Sequence, residues 1–112
     1  MPKQITVFRI DKQFYGIDID DVKEILRVQP ITSLPSDAPH VEGVINLRGS
    51  LCTIVNGRVL LGFEKIEKTE DQNIMVLGDG KVGMLVDEVT EILTIEESDI
   101  KALEGMGTLY NI

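Results

Sequence analysis

The sequence predicts a mostly β domain of short strands joined by tight turns. Short apolar runs rich in Val, Ile and Leu recur along the chain, glycine-containing turn signals separate them, and no long stretch keeps the helical period. A chain of 112 residues fits one domain, and its 43% hydrophobic content is enough to build a core. Small barrels or a sandwich are the architectures that such strands favour.

The first elements are a predicted hairpin and a predicted helix. Residues 4–10 and 14–17 have the apolar pattern of two strands, and Gly16 indicates a bulge or a close backbone approach. A short amphipathic helix is predicted from about Asp20 to Arg27, because capping aspartates precede apolar residues at helical spacing. The proline-rich residues 29–40 that follow are predicted to form a loop.

The centre of the chain is the segment GVINLRG, residues 43–49, followed by the apolar run LCTIV. Strand formers on both sides of Gly49-Ser50 predict a strand pair with Arg48 at its turn. There an always-charged guanidinium can reach solvent or an acidic partner while its stem packs on apolar neighbours. The alternative is an arginine that merely ends a strand.

The second half contains a further predicted hairpin. Asn56-Gly57 favours a bulge leading into a short helical turn, and the charged residues 64–72 favour an exposed, mobile loop. Strand-like runs flank the strong turn signal Gly78-Asp79-Gly80. For residues 87–95, periodicity alone does not distinguish a strand from a helix.

Charge and composition exclude several classes of partner. A formal charge of −8 repels the phosphates of nucleic acid and anionic lipid surfaces. The N-terminus lacks a signal-peptide pattern, and no apolar run approaches the ~20 residues of a membrane span. The sequence therefore predicts a cytoplasmic protein without nucleic-acid binding or membrane insertion.

The residues that carry chemistry form no recognisable catalytic set. Cys52 lies in an apolar strand, where burial would raise the pKa of its thiol, and His40 lies in a loop without a second histidine to share a metal. A Cys52–His40 dyad is the alternative, since the two residues are near in sequence. The sequence predicts a chain that binds rather than catalyses, with no metal and no cofactor.

Several segments resemble the CheW-like domain family of bacterial chemotaxis. The resemblance rests on GVINLRG, on Asn56-Gly57-Arg58 followed by Leu61-Gly62-Phe63, on residues 8–26 and on residues 82–93. These segments cover most of the chain and occur in the family's order. The resemblance implies two small SH3-like, five-stranded β-barrel subdomains with one short helix, at approximately residues 1–48 and 49–108 of a single domain 1–112.

The resemblance also implies a function and its site residues. It implies a noncatalytic adaptor that links transmembrane chemoreceptors to the histidine kinase CheA through the kinase's regulatory domain. Val22, Glu24 and Arg48 match positions that the family uses in receptor binding and coupling. Candidates for the kinase contact are apolar positions of the second barrel, of which alternate ones must face the core: Val82, Met84 and Val86.

The chain departs from the family pattern in two places. Asn56 and Gly57 stand where the family usually has Asp and Leu, which predicts weaker local packing. The family continues past residues 105–112 with a further strand and a helix, so the first barrel is predicted to lack its last strand. Because an exposed edge invites pairing, we expect a strand-paired or swapped dimer, or a truncated protein.

Two other interpretations stay open from the sequence. The same fold occurs as a regulatory domain of a larger signalling protein, such as a kinase or a receiver fusion. A small ligand-binding barrel or an enzyme that uses Cys52 or His40 is the alternative from another class.

Overall fold

The computed structural model describes residues 2–99, 101–102 and 109–112, and strands dominate them. The mostly β prediction is confirmed. The strands are β1 (Pro2–Ile10), β2 (Gln13–Asp18), β3 (Val22–Arg27), β4 (Val41–Leu47), β5 (Ser50–Asn56), β6 (Asn73–Leu77), β7 (Val82–Val86), β8 (Glu88–Glu96), β9 (Lys101–Ala102) and β10 (Leu109–Asn111). One helix, α1 (Gly57–Leu60), and two 3₁₀ turns at Ile19–Asp21 and Glu97–Asp99 complete the described elements.

The ten strands form two five-stranded sheets. Sheet one has the order β8-β1-β2-β10-β9, and sheet two has the order β3-β6-β7-β5-β4. The number of strands in each sheet agrees with the predicted five-stranded subdomains. The predicted closure into barrels is not observed, because among the described residues neither sheet pairs its first strand with its last.

The chain crosses between the sheets twice. It enters sheet two at β3, and it returns to sheet one at β8. The expected subdomain limit near residue 48 lies in the turn between β4 and β5, which pair with each other inside sheet two. It is therefore not a boundary between the sheets. We expected a strand to be missing after residues 105–112. Residues 105–108 lie outside the described residues. Residues 109–111 form β10, which pairs with β2 in sheet one.

Sheet two is buried on both faces, which divides the core into two clusters. One face packs on sheet one and forms the inter-sheet core, which contains Phe8, Ile10, Tyr15, Ile17, Met75, Met84, Val86 and Leu109. The other face forms the second core, which contains Ile45, Cys52, Ile54, Ile74, Val76 and Leu85. Neighbouring residues of β6 belong to different clusters, as expected when successive side chains point to opposite faces.

The helix predicted from Asp20 to Arg27 is wrong. A 3₁₀ turn occupies Ile19–Asp21, and residues 22–27 form β3 with alternating half-buried and exposed side chains. β3 pairs with β6, a strand about fifty residues later in the chain. This non-local pairing overrides the helical spacing. In the strand, successive side chains alternate, so Ile25 is 42% exposed while Leu26 packs on the second core.

Other local predictions are confirmed. β1–β2, β4–β5 and β6–β7 are the expected hairpins, and a one-turn helix follows Asn56. Residues 88–96, for which periodicity does not distinguish a strand from a helix, form a strand. Residues 64–71 are exposed, as expected of the charged loop. Gly16 marks a close approach, because an added Cβ would lie 2.3 Å from Ile5 Cγ2.

The departures at Asn56 and Gly57 do not weaken the packing as expected. Asn56 is buried, its side-chain oxygen accepts from the Val59 amide at 3.1 Å, and its Nδ2 donates to Glu42 at 2.6 Å. It is therefore the N-cap of α1. A Cβ at Gly57 would lie 2.7 Å from the Leu85 carbonyl oxygen, so this position has no space for a leucine.

Candidate partner-binding site

The turn between β4 and β5 presents Arg48 to solvent. Leu47 pairs with Ser50, and the two residues between them have positive φ, 52° at Arg48 and 87° at Gly49. Positive φ at both central residues is the type I′ geometry that matches the twist of a hairpin. The Gly49 amide donates to Asn46 Oδ1 at 2.8 Å, which fixes the turn. The arginine side chain is 70% exposed.

Arg48 forms a bidentate ion pair with Glu24. Nη1 donates to Oε2 at 2.6 Å, and Nη2 donates to Oε1 at 2.8 Å. Glu24 lies on β3 and Arg48 follows β4, so the pair joins the two opposite edge strands of sheet two. We call it the rim pair. The guanidinium stays at the surface while one of its edges is hydrogen-bonded to Glu24.

The rim pair changes the protonation behaviour of its members. The hydrogen bonds from Arg48 lower the pKa of Glu24, and desolvation opposes this effect in part. The same hydrogen bonds raise the pKa of Arg48. Both groups are therefore charged at neutral pH, and the site presents a fixed guanidinium.

A row of partly exposed side chains crosses sheet two on the face opposite to Glu24, which pairs with Val76 of the second core. Strand register aligns one residue from each strand, and residues directly paired across strands share a face. The members of this cross-strand row are Val22, Leu77, Val82, Thr53 and Val44. Their face is the one that packs on sheet one further along the strands, since Met84 belongs to the inter-sheet core. Leu51, which is 67% exposed, lies two residues before Thr53 on that face.

The structure separates the three predicted kinase-contact residues. Val82 is 41% exposed and lies in the cross-strand row. Met84 and Val86 are buried in the inter-sheet core, so neither side chain is accessible to a partner in this conformation. Val22 and Val82 lie two strands apart in one row, at the usual strand spacing about 10 Å. Val22 of the predicted receptor residues and Val82 of the predicted kinase residues therefore share one face of sheet two.

Comparisons with known proteins decide the family. Residues 4–110 match the model of the CheW-like domain. The chain belongs to the CheW-like family. The chemotaxis protein CheW of Bacillus subtilis (strain 168) is 34% identical over 107 residues, which are 93% of this chain and 69% of the relative. The chemotaxis protein CheW of Treponema pallidum (strain Nichols) is 29% identical over 119 residues, with 96% and 69% covered.

A solved structure agrees with the fold. The crystal structure of scaffolding protein TtCheW from Thermoanaerobacter tengcongensis superposes with a TM-score of 0.84 at 35% identity, covering 97% of this chain and 76% of that chain. The prediction of the family is confirmed. A noncatalytic chemotaxis scaffold is the function that these CheW-like relatives support.

The geometry of Cys52 and His40 does not favour a catalytic dyad in this CheW-like chain. Cys52 is fully buried, and burial together with the Glu24 carboxylate raises the pKa of its thiol. The carbonyl of His40 accepts from the Asn56 amide, four residues along β5 from Cys52, which is about 13 Å. In the described part of the chain no three metal-ligating side chains are grouped to hold a metal.

Sequence reasoning missed part of the site. Leu77, Thr53 and Leu51 extend the exposed surface around Val22 and Val82. The signal that would have found them is strand register, because it aligns residues from distant segments on one face.

Among the described residues, no helix has the length and apolar character needed to cross a membrane.

Proposed function

We propose that this chain is a cytoplasmic adaptor that links the tips of chemoreceptors to the regulatory domain of the histidine kinase CheA. The observation that carries the proposal is the rim pair, which holds an exposed guanidinium at the edge of sheet two, the sheet that also carries the partly exposed apolar row. Such a surface suits protein partners, because aromatic or aliphatic anchors bind apolar patches and arginine adds a directional charged contact.

The receptor contact is proposed at Val22, Glu24 and Arg48. Glu24 occupies one edge of the guanidinium, and the remaining N–H donors of Arg48 face away from that hydrogen-bonded edge. An acceptor on a receptor helix would bind those donors without displacing Glu24. Val22 lies on the same edge strand as Glu24 and provides the apolar end of the contact.

The kinase contact is proposed at the exposed end of β7. Of the three apolar candidates on this strand only Val82 is exposed, and Leu51 lies on the same face of the neighbouring strand β5. Met84 and Val86 support the strand from inside the core. The kinase would thus contact the part of the row on β7 and β5, and the receptor the end formed by β3.

The names of the relatives bear on the alternative setting of the domain, and the oligomeric state stays a prediction. The relatives reported above are named chemotaxis protein CheW, which favours an adaptor over a regulatory domain of a larger signalling protein. A strand-paired or swapped dimer stays a prediction, and size-exclusion chromatography with light scattering measures it directly.

Charge reversal at Arg48 tests the proposed function. We expect Arg48→Glu to weaken binding of a purified receptor-tip fragment at least tenfold in calorimetry while the CheA regulatory domain still binds. Arg27→Glu is the matched control, since it reverses another exposed arginine at the far end of β3 and we expect it to leave both affinities within about twofold. Unchanged receptor affinity in Arg48→Glu would exclude the site assignment.

A further inference from the structure

A second group of charged side chains joins the two sheets on the side of the domain away from the rim pair. Arg9 on β1 and Asp11 in the β1–β2 turn belong to sheet one, and Arg58 on α1 follows a strand of sheet two. Asp87 is the single residue between β7 and β8, where the chain passes from one sheet to the other. We call these four residues the charge junction.

The contacts of the charge junction centre on Asp87. Its Oδ2 accepts from Arg58 Nη1 at 2.5 Å and from the Asp11 amide at 2.7 Å, and Arg9 Nη1 lies 3.7 Å away. Arg58 Nη2 also donates to Asp11 Oδ1 at 3.1 Å. The Asp87 amide donates to the Arg9 carbonyl at 3.1 Å, so backbone and side chain both tie the linker to the first hairpin.

The charge junction is largely removed from water. The side chain of Asp87 is 5% exposed and that of Arg58 is 10% exposed. Arg58 Nε donates to the Glu64 carbonyl at 2.7 Å, and the guanidinium lies 5.9 Å from the centre of the Phe63 ring. Buried ion pairs are costly to desolvate, and an apolar replacement of both partners often stabilises a fold as well. A role in fixing orientation is therefore a better reason for this arrangement than stability alone.

The position of the charge junction relates it to the cross-strand row. Asp87 follows one end of β7 and Val82 begins the other end, about 17 Å away at the usual rise per residue. Between them Met84 and Val86 are covered by sheet one. The hydrogen bonds of Asp87 hold the β1–β2 hairpin against β7. The position of this hairpin thus determines which residues of β7 are buried by sheet one and which belong to the exposed row.

We propose that the charge junction sets the docking angle of sheet one on sheet two, and thereby how much of the face around Val82 is open to a partner. Arg58 and Asp87 act as positioning residues, since they lie outside the row. An effect of the charge junction on partner affinity rests on the proposed function. Its effect on the exposure of the cross-strand row does not.

The test compares variants of the charge junction with a matched core variant by NMR of the full chain without any partner. Asp87→Asn keeps the shape of the side chain and removes its charge. We expect the methyl resonances of Val82 and Met84 to shift and the amide protons of residues 11 and 87 to exchange at least tenfold faster. Ile45→Val, a variant of the second core on the edge strand β4, is expected to leave the Val82 and Met84 methyl resonances and both exchange rates unchanged while the chain is folded.

A double-mutant cycle distinguishes positioning from general destabilisation. If Arg58→Met and Asp87→Asn act through one contact, the double variant should show the same methyl shifts as one single variant and not their sum. Asp11→Asn is the milder variant if Asp87→Asn does not fold, because Asn tolerates the positive φ of 56° at this turn, and it should move the same resonances in the same direction.

Two results would overturn the inference: unchanged Val82 and Met84 resonances in a folded Asp87→Asn or Asp11→Asn variant, or additive shifts in the cycle. Adding the receptor-tip fragment and the kinase domain then separates the two proposals. If the row moves but neither partner's affinity changes, the charge junction inference holds and the assignment of the row to these partners fails.

Discussion

The domain contains two arginine–carboxylate pairs with the same chemistry and opposite settings. In the rim pair, Arg48 is 70% exposed and Glu24 is 20% exposed. In the charge junction, Arg58 is 10% exposed and Asp87 is 5% exposed. Each pair joins two parts of the fold: the rim pair joins the edges of sheet two, and the charge junction joins sheet two to sheet one.

The comparison teaches that burial, more than geometry, separates a binding contact from a structural one. The rim pair has the better bidentate geometry, but water and salt screen an exposed pair, so its net stabilisation is small. Loss of one partner from a buried pair leaves an unpaired charge in a poorly solvated place. The exposed guanidinium is thus free to serve a partner, whereas the buried one is committed to the fold.

Removal of the buried carboxylate gives the largest expected effect. Asp87→Ala removes the buried carboxylate of Arg58 and leaves the half-exposed Asp11 as its carboxylate partner, so we expect a loss of about 3–5 kcal/mol in the free energy of unfolding. Urea denaturation followed by circular dichroism measures it. Glu67→Ala, which removes an exposed carboxylate in the loop of residues 64–71, is the control and should change the stability by less than about 0.5 kcal/mol. Equal effects of the two variants would remove the distinction between buried and exposed charges.

The centre and the exposed end of β7 offer the same contrast with apolar side chains. Met84→Ala creates a cavity in the inter-sheet core and should cost about 2–5 kcal/mol of stability. Val82→Ala on the exposed end should cost less than about 1 kcal/mol while weakening the binding of the CheA regulatory domain. Urea titration and calorimetry of both variants give the comparison. A stable Met84→Ala variant would mean that the sheets do not pack as described.

The titration of Glu24 is the smallest effect and sharpens the comparison from the exposed side. Its folded pKa lies below the ordinary value because Arg48 favours the carboxylate. The stabilisation is therefore present above the unfolded pKa and is lost as the pH falls through the folded pKa. In NMR, the side-chain carboxyl carbon of Glu24 should titrate below its ordinary range in the wild type and closer to it in Arg48→Gln. The same midpoint in both proteins would show that the pair does not persist in solution.

Local sequence predicted the turns and hairpins well, because their signals lie within a few residues. Arg48-Gly49 and Gly78-Asp79-Gly80 form the turns that their glycines indicate. The resemblance to the family assigned Glu24 and Arg48 to the same receptor-binding site. It did not predict that they bond to each other across 24 residues of sequence.

Features that depend on non-local pairing were not predictable from the sequence. β3 has helical spacing and becomes a strand only because β6 pairs with it. The cross-strand row requires the register of five strands, and the Arg58–Asp87 contact joins residues 29 positions apart. The burial of Met84 and Val86 follows from the packing of sheet one, which no pattern within β7 reveals.

A charge swap at the rim pair tests the central claim most directly. The double variant Glu24→Arg with Arg48→Glu keeps an ion pair between the same two edge strands but moves the guanidinium from the turn to β3. We expect the urea midpoint of this double variant to equal that of the wild type. Its affinity for the receptor-tip fragment, measured by calorimetry, should be at least tenfold weaker than that of the wild type. Recovery of wild-type affinity would contradict the account, because it would show that the pair serves only to hold the edges of sheet two together.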